Sequence, residues 1–514
     1  MMYLKSRFGV INIMAISAMV LLLFTGCGPR IDSLNPESGP VGSVVTVQGA
    51  RFGETAAENT VKIGNIEVAT SDIAVISNSQ LDFKVPMDAV TGQVSITTGK
   101  GTGRSNANFI VESAGGANWT IMVYLDADNN LESAGIDDFL EMSSVGSQNG
   151  VNLVVQMDRI PGESDEYDDW TGTKRFLIGR DDLPSSNPVQ DMGEQNMGNP
   201  AVLQDFIEWA VTSYPAQHYA LVIWNHGNGW RIMREKMARM AAEKKNASNE
   251  VLIKAVASDD TDGDILYMRE VQDALNSARQ NLEARTGSGV KFDVLGFDAC
   301  LMGMVEVAYA IRDNANYMVG SEETEPGDGW PYNTILTDLI NNPAMTPADL
   351  ARLIVVKYGN SYNSGVTQAA FDISKLQSLA WKIDTFTLTA TTSWSALKSA
   401  RLAAKQYHSC SYSCWGTDLW DFADEVYNSS AIQTIKAAAS AVKIAVDEFV
   451  IEEYHSTNMS GSHGIAIYFP PDRSRFNADP EHSGYTDANT FMPVDYVKDH
   501  LWDNWLQDFY DNLP

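Results

Sequence analysis

The chain has 514 residues, of which 44% are hydrophobic, and its formal net charge is −30. This length and apolar content are sufficient for two or three globular cores, which excludes a largely disordered protein. So acidic a chain lacks the basic surface that neutralises phosphates, and we therefore expect no nucleic acid partner. The acidity favours cationic substrates, although it would also serve simply to keep an exported protein soluble.

The first 27 residues have the pattern of an export signal. Lys5 and Arg7 precede an uncharged apolar run that leads into Phe24-Thr25-Gly26-Cys27. This arrangement resembles a bacterial lipoprotein signal, in which Cys27 would become the lipidated first residue of the mature chain. An uncleaved membrane anchor is the alternative. We expect an exported, membrane-anchored protein at the cell surface or in the periplasm, where unpaired thiols tend to oxidise.

Residues 30–112 alternate short β-branched runs with Gly, Pro and Asn turns, which is typical of a small immunoglobulin-like β-sandwich. The stretch PRIDSLNPESGPVGSVVTVQGARFG resembles the opening of an IPT/TIG domain. This segment contains no reactive set of side chains, so we expect a spacer or a docking surface. The small residues from Ser113 to Ala117 mark the domain boundary.

From Asn118 onward, apolar runs alternate with segments of helical spacing. The runs WTIMVYLDAD, VNLVVQMD, YALVIWNHG and FDVLGFDAC are apolar on both faces, and LQDFIEWAVTSY and YMREVQDALNSARQ have helical periodicity. This pattern predicts an α/β domain over residues 118–349, with a mostly parallel sheet covered by helices on both sides. Ligands bind beyond the carboxyl ends of such strands.

Two strand ends carry reactive side chains. His226 directly follows the run that ends at Trp224, and Cys300 follows the run that ends at Asp298. The spacing of MVEVAYAI predicts a helix just beyond Cys300, and a thiol at a helix N-terminus near an imidazole would have a lowered pKa and act as a nucleophile. The alternative for Cys300 is a packed core thiol. The other six histidines lack a comparable setting.

Several motifs in order resemble the clostripain family of cysteine peptidases. They comprise the runs closed by His226-Gly227 and by Asp298-Ala299-Cys300, and the stretches DMGEQNMGNP, ASDDTDGDIL, GSEETEPGDGWPYNTIL, AAFDISKL, DLWDFADEV and SHGIAIYFP. The resemblance implies a caspase-like fold and an endopeptidase that cleaves either after Arg alone or after both Arg and Lys. It implies Cys300 as the nucleophile and His226 as its catalytic partner, with the backbone N–H groups of Gly227 and Cys300 stabilising the oxyanion. No third catalytic residue is evident.

Two carboxylates are candidates for the pocket that receives the basic side chain. Asp298 lies two residues before Cys300 on the same side of the strand, and Asp328 stands where the clostripain pattern places an acidic pocket residue. Two carboxylates suit the planar fork of Arg better than the point charge of Lys. Capping of the next helix is the alternative for Asp298, and a turn is the alternative for Asp328.

The proposed reaction requires no cofactor, but one acidic stretch has oxygen ligands at the spacing of a calcium loop. A solvated turn is an equally good interpretation, because the later Glu of a complete loop is missing. The candidate ligands are Asp259, Asp260, Asp262 and Asp264. A second acidic cluster, open to the same two interpretations, comprises Asp126, Asp128 and Glu132.

Three further features complete the sequence-based expectations. Cys410 and Cys414 are close enough to form a disulfide. The basic stretch 231–254 is either a surface insertion or a site of self-cleavage, with Arg234, Arg239, Lys244 and Lys245 as candidate positions. Residues 350–514 mix helical stretches, among them IKAAASAVKIAVDEFVIEEY, with the strand-like GIAIYF, and we expect an accessory region packed on the catalytic domain.

Two other functions remain compatible with the sequence. One is a catalytically silent surface protein that binds through the IPT/TIG domain, and retention of His226 and Cys300 counts against it. The other is a peptidase of related fold that cleaves after Asn or Asp. An acidic pocket would repel Asp. We therefore expect protein or peptide substrates with Arg or Lys, and a membrane contacted through the lipid.

Overall fold

The structure is a computed structural model that describes residues 28–40, 43–64, 66–86, 89, 92–112, 117–230, 257–407, 415–479, 482–486 and 494–513. Contacts divide the chain into two compact units, residues 1–114 and 115–514. Cys27, the basic stretch 231–254, Cys410 and Cys414 lie outside the described residues. Within the described part, no helix is both long and apolar enough to cross a membrane.

The first unit is a sandwich of two sheets with strand orders β1-β3-β7-β6 and β2-β9-β8-β4-β5. Alternate residues of its strands face inward, as Val45 and Val47 do in β3, and Val61 and Val94 of the other sheet share the same apolar core. The predicted immunoglobulin-like unit is therefore confirmed. The strands are β1 Arg30–Asn35, β2 Ser38–Pro40, β3 Val44–Ala50, β4 Thr60–Ile63, β5 Ile66–Glu67, β6 Ile73–Ser77, β7 Gln80–Lys84, β8 Gly92–Thr98 and β9 Gly101–Glu112.

A nine-stranded sheet of order β13-β12-β11-β10-β14-β17-β18-β19-β22 organises the second unit. Its five central strands, from β11 to β18, are parallel, and two antiparallel strands extend each edge. The predicted α/β class is confirmed. The strands are β10 Ala117–Ala127, β11 Val151–Arg159, β12 Gly172–Leu177, β13 Gln190–Gly193, β14 Ala216–Trp224, β17 Phe292–Asp298, β18 Ala315–Gly320, β19 Thr367–Asp372 and β22 Val450–His455.

The central strands form because apolar side chains line both of their faces. In β10, Met122 and Tyr124 belong to one hydrophobic core, whereas Ile121, Val123 and Leu125 belong to a second core on the opposite face. Helices cover both cores, since side chains of α2 pack in the first and side chains of α1 pack in the second. Burial on both faces accounts for the continuous apolar runs in the sequence.

The predicted helices are present in the second unit. Helix α2 begins with Pro200 at its first turn, and the side chain of Asn199 caps it by accepting the N–H of Ala201. The helices are α1 Glu132–Val145, α2 Pro200–Ser213, α3 Met268–Thr286, α4 Val305–Ala310, α5 Tyr332–Asn341, α6 Pro347–Ser361, α7 Leu376–Thr389, α8 Trp394–Ala403, α9 Leu419–Ser429, α10 Gln433–Phe449, α11 Arg473–Ala478, α12 Asp495–Asp499 and α13 Trp502–Asp511.

Residues after 350 contribute strands to the same nine-stranded sheet. The prediction that the whole stretch IKAAASAVKIAVDEFVIEEY is helical was wrong at its end, because residues 450–455 form β22 and pair antiparallel with β19. Two small sheets complete the unit: a hairpin of β15 Ala257–Asp259 with β16 Asp264–Leu266, and a sheet of β20 Gln406–Tyr407, β21 Gly416–Asp418 and β23 Ala466–Tyr468. The last strand confirms the strand predicted in GIAIYF.

Candidate active site

The predicted reactive residues lie at the carboxyl ends of two neighbouring strands in the middle of the large sheet. Strands β14 and β17 are parallel neighbours, with Trp224 opposite Asp298 in the pairing register. The N–H of Asn225 then donates to the carbonyl of Asp298 at 3.3 Å. The loop that carries His226 and the loop that carries Cys300 therefore leave the sheet side by side.

Gly227 brings these two loops into backbone contact. A Cβ atom at this position would lie 2.2 Å from the carbonyl oxygen of Cys300 and 2.7 Å from its nitrogen, so any side chain here would force the loops apart. The N–H of Gly227 donates a hydrogen bond to the thiol of Cys300. The structure thus brings the N–H of Gly227, one of the two predicted oxyanion donors, to the predicted nucleophile.

The helix predicted from MVEVAYAI is present as α4, but a turn separates it from Cys300, so the prediction that the thiol lies at a helix N-terminus was wrong. Leu301 has a φ of 63°, and the helix begins only at Val305. Backbone hydrogen bonds fix the turn instead, from Leu301 N–H to the carbonyl of Glu323 and from Gly303 N–H to the carbonyl of Ser321. The polypeptide after β18 therefore holds the cysteine loop.

The expected lowering of the Cys300 thiol pKa is also wrong for the free protein. Burial raises this pKa, and the carboxylates of Glu323 and Asp298 raise it further. Two N–H groups oppose the effect by donating to the sulfur, one from Gly227 and one from Glu325 at 3.3 Å. The thiol is consequently protonated near neutral pH and requires a base to react.

His226 has a side-chain partner that the sequence did not reveal. Its Nε2 lies 3.0 Å from Oδ1 of Asn130, a residue of the loop after β10. The preceding residue, Asn225, is anchored by its amide, which donates to the carbonyls of Asp126 at 2.7 Å and Ser258 at 3.3 Å. The polar run after β10 was a general signal for this position, but adjacent Asn129 and Asn130 are indistinguishable without the fold.

Asp298 is buried beside Cys300, in a region that contains several other carboxyl groups. Its Oδ2 accepts from Tyr332 Oη at 2.8 Å and from the N–H of Trp330 at 3.2 Å. Asp138, from α1, accepts from Trp224 Nε1 at 2.6 Å. Gly329 permits this arrangement, because its φ is 52° and a Cβ there would lie 3.1 Å from both Asp298 carboxyl oxygens and 3.2 Å from Asp138 Oδ2.

The sequence missed Glu325 as a member of this region. Its Oε1 accepts from Gln368 Nε2 at 2.9 Å, and its carboxyl group interacts with that of Asp298. Burial raises the pKa of Asp298 to about 6, and burial together with repulsion from Asp298 raises the pKa values of Glu325 and Asp138 well above their usual range. Asp328 is exposed in the adjoining turn, where the N–H of Gly329 donates to the carbonyl of Pro326.

A second group of carboxylates gathers around one of the predicted calcium ligands. Oxygen atoms of four residues lie within 4.8 Å of one another, and these residues are Asp128, Asp158, Glu194 and Asp259. Asp260, Asp262 and Asp264 of the predicted set fall outside this group; Asp260 and Asp262 lie in the turn between β15 and β16, and Asp264 is the first residue of β16. We name these four residues the acidic cluster.

The second predicted acidic group divides into two parts. Asp126 and Asp128 are fully buried, and each has a carboxyl oxygen that receives no hydrogen bond within the described part of the chain. Glu132 instead pairs with Arg159 at 2.6 Å and accepts the N–H of Ser164, which is a structural role. Burial raises the pKa of Asp126 and Asp158 well above the usual range, and that of Asp259 to about 7.

Comparison with protein families gives two matches that together cover most of the chain. A sequence model of the clostripain family matches residues 123–509, and one of the IPT/TIG domain matches residues 29–111. Clostripain of Hathewaya histolytica is 34% identical over 241 residues. That alignment covers 42% of this chain and 41% of clostripain, so the chain matches less than half the length of this relative.

Two solved structures are similar in fold. A secreted C11 cysteine protease from Bacteroides thetaiotaomicron, in complex with an irreversible peptide inhibitor, aligns with a TM-score of 0.53 at 21% identity, over 75% of this chain and 99% of that one. An inactive zymogen C11 protease from Parabacteroides distasonis aligns with a TM-score of 0.51 at 19% identity, over 77% and 99%.

Proposed function

The chain belongs to the clostripain family of cysteine peptidases, and we propose that it is an exported endopeptidase that cleaves peptide bonds after Arg and, more slowly, after Lys. One observation carries the proposal. The thiol of Cys300 lies directly beside a buried carboxyl region that contains Asp298, and no lysine, arginine or histidine bonds to that carboxyl among the described residues. A buried carboxyl group of this kind favours a cationic ligand.

In the proposed reaction, Cys300 Sγ attacks the carbonyl carbon of the scissile bond. If Oδ1 of Asn130 accepts from Nε2–H of His226, the neutral imidazole carries its lone pair on Nδ1. Nδ1 then takes the thiol proton and passes it to the leaving amine, which yields an acyl-enzyme. Water, deprotonated by the same imidazole, hydrolyses the thioester and regenerates the thiol.

The oxyanion of the tetrahedral intermediate needs donors that are already in place. The N–H of Gly227 contacts Sγ in the free protein, and Gly227 lies against the backbone nitrogen of Cys300. We propose that these two N–H groups bind the oxyanion. Loss of one such donor in other enzymes lowers kcat by about 10²- to 10³-fold.

The raised thiol pKa links reactivity to the substrate. Asp298 contributes to the rise, so a substrate cation that binds this carboxyl in its ionised form also lowers the pKa of Cys300. We therefore propose that Asp298 and the exposed Asp328 bind the basic side chain. The fork of Arg can bond to two carboxylates at once, which accounts for the preference over Lys.

We propose that a structural calcium ion binds at the acidic cluster. Opposite oxygen ligands of Ca²⁺ are about 4.6–5.2 Å apart, which agrees with the 4.8 Å span of the cluster, and Asp126 adds a buried carboxyl oxygen without a donor. Bound calcium would neutralise these carboxylates. It would also stabilise the loop of His226, because Asn225 is anchored to the carbonyl of Asp126.

We further propose export as a lipoprotein with Cys27 lipidated, and self-cleavage within residues 231–254. The support for both comes from the sequence: the signal-like start of the chain, and a basic stretch that an Arg- and Lys-specific peptidase would recognise. Metabolic labelling with a palmitate analogue, compared between wild type and Cys27→Ala, tests the first proposal. Mass spectrometry of active protein tests the second, and a single intact chain across 231–254 would refute it.

The central test is hydrolysis of short peptides that differ only in the residue before the cut: Arg, Lys, Asn, Asp or Leu. We expect the order Arg, then Lys, with no cleavage of the others, and loss of all activity in Cys300→Ala and His226→Ala. His218→Ala is the matched control, because His218 lies in β14 and pairs with Asp293 at 3.1 Å. Full activity of the Cys300→Ala protein would contradict the proposal, and cleavage after Asn would reassign the specificity.

A further inference from the structure

Asp298 and Glu325 bring two buried carboxyl groups together beside Cys300. Glu325 Oε1 accepts from Gln368, but its Oε2 is buried and receives no N–H or O–H donor from the described residues. The two carboxyl groups interact directly, and each affects the pKa of the other. Two ionised carboxylates have no hydrogen to donate to each other, whereas a singly protonated pair forms a hydrogen bond through one shared proton.

The surroundings of this acid pair supply further negative charge and hydroxyl groups. The titratable groups that face it are Cys300, Asp138 and Glu141 of α1, Asp328, Tyr332 of α5, Tyr358 of α6 and Tyr362. In the described part of the chain, neither carboxyl group of the pair has an ion-pair partner among lysine, arginine or histidine side chains. A proton shared by the two carboxyl groups would offset this negative charge in place of a cation.

Resting on the proposed cleavage after Arg and Lys, we propose that Glu325 is a specificity-determining residue, and that a substrate cation replaces the proton shared by Asp298 and Glu325. The exchange is balanced: the cation binds to the pair, the proton leaves to solvent, and the pair changes from one negative charge to two. No other reactant is required.

The backbone of Glu325 holds its carboxyl group in position for this role. Its N–H donates to Cys300 Sγ at 3.3 Å, and Gln368 of β19 fixes Oε1. Glu325 therefore contacts the thiol through its main chain and the acidic pocket through its side chain, so it connects the charge of the substrate with the reactive centre. The raised pKa values of Asp298 and Glu325 agree with a retained proton near pH 6.

Proton exchange predicts that basic ligands bind more tightly as the pH rises. If one proton is released for each cation bound, the dissociation constant falls by up to about tenfold per pH unit below the pKa of the pair. The dependence levels off above that pKa, where the pair is already ionised. A pocket with one permanently ionised carboxylate would give a flat profile over the same range.

Calorimetry with Cys300→Ala protein tests the proposal without hydrolysis of the ligand. The probe is acetyl-Ala-Ala-Arg amide, and the matched control is the same peptide with citrulline, which has the shape of Arg but no charge. Titrations from pH 5 to pH 8, in buffers of different ionisation enthalpy, give both the affinity and the number of protons released. We expect close to one proton released by the Arg peptide at pH 5.5 and none by the citrulline peptide.

Glu325→Gln, placed in the same protein, should abolish proton release because the amide donates to Asp298 in place of the proton. Its affinity for the Arg peptide should match that of the parent within about threefold at pH 5. At pH 8 the affinity should be about tenfold weaker, because the parent then has one more ionised carboxylate. Glu323→Gln is the matched control in the same segment and should keep the parent's pH profile.

The outcomes separate this proposal from the proposed function. If the Arg peptide binds no more tightly than the citrulline peptide at any pH, the pocket for basic side chains is misplaced and the function is at fault. If the Arg peptide binds selectively but releases no proton from the parent protein, the proton exchange is refuted. This measurement on the parent stands even if Glu325→Gln does not fold.

Discussion

Replacement of Gly227 by alanine tests the contact between the two catalytic loops. The added Cβ would lie 2.2 Å from the carbonyl oxygen of Cys300, whereas ordinary contact begins near 3.4 Å, so the backbones must separate by more than 1 Å. A displacement of about 1 Å between reacting groups costs about 10²-fold in rate. This loss corresponds to about 2.7 kcal/mol of transition-state stabilisation.

We therefore expect Gly227→Ala to lower kcat/KM for an Arg peptide by at least about 10²-fold, mostly through kcat, because the pocket for the basic side chain is unchanged. Peptide hydrolysis under single-turnover conditions measures the effect, with thermal unfolding as the check on folding. Gly327→Ala is the matched control, since a Cβ at Gly327 meets nothing within 4 Å. A Gly227→Ala protein with wild-type kcat would refute the inferred contact.

Three further predictions follow from the site. Asn130→Ala should lower kcat by about tenfold or more and shift the acid limb of the pH–rate profile, while KM stays unchanged, because His226 loses only its orienting partner. Asp328→Asn should weaken the binding of Arg peptides more than that of Lys peptides, and equal effects on both would exclude a second carboxylate contact. Calcium at about 100 times its Kd should add about 2.7 kcal/mol to the free energy of unfolding in differential scanning calorimetry. Asp128→Asn should remove this gain and Asp262→Asn should keep it, because only Asp128 belongs to the acidic cluster.

The calcium prediction has a defined pH dependence. Asp259 has a folded-state pKa of about 7, above its unfolded value of about 3.9. A carboxyl group raised in this way stabilises the fold fully below the unfolded pKa, and the contribution is lost as the pH rises through the folded pKa. Calcium-free protein should thus be less stable at pH 8 than at pH 5.5. The stabilisation by calcium should be largest at pH 8, and equal gains at both pH values would contradict this assignment.

Strand positions could be predicted from the sequence because a strand that is buried on both faces consists of a nearly continuous run of apolar residues. The run that ends at Trp224 and the run that ends at Asp298 are strands as predicted, and their parallel pairing brings His226 and Cys300 to one edge. The periodicity of MVEVAYAI located helix α4, but it did not reveal that a turn held by residues 321–325 separates Cys300 from the helix start.

Contacts between distant segments could not be predicted from one sequence. The acidic cluster draws its members from the ends of three different strands and from the residue after β13, so the sequence indicated Asp259 and Asp128 only as members of two separate groups and did not indicate Asp158 or Glu194. The contact between Glu325 and Asp298 likewise depends on the path of the loop after β18, which one sequence does not give. Asn130 contacts His226 across 96 positions, a separation over which local spacing carries no information.

The order of the strands has a consequence for when the enzyme acquires activity. Strand β19 supplies Gln368, which fixes Glu325 beside the nucleophile, and β22 closes the edge next to it. A growing chain that has reached residue 349 already contains Cys300 and His226 but leaves β18 as an unpaired edge, which is prone to aggregation. The residues proposed to be catalytic are therefore synthesised before the strands that complete the site. Such a delay would keep the incomplete chain inactive while it is being synthesised.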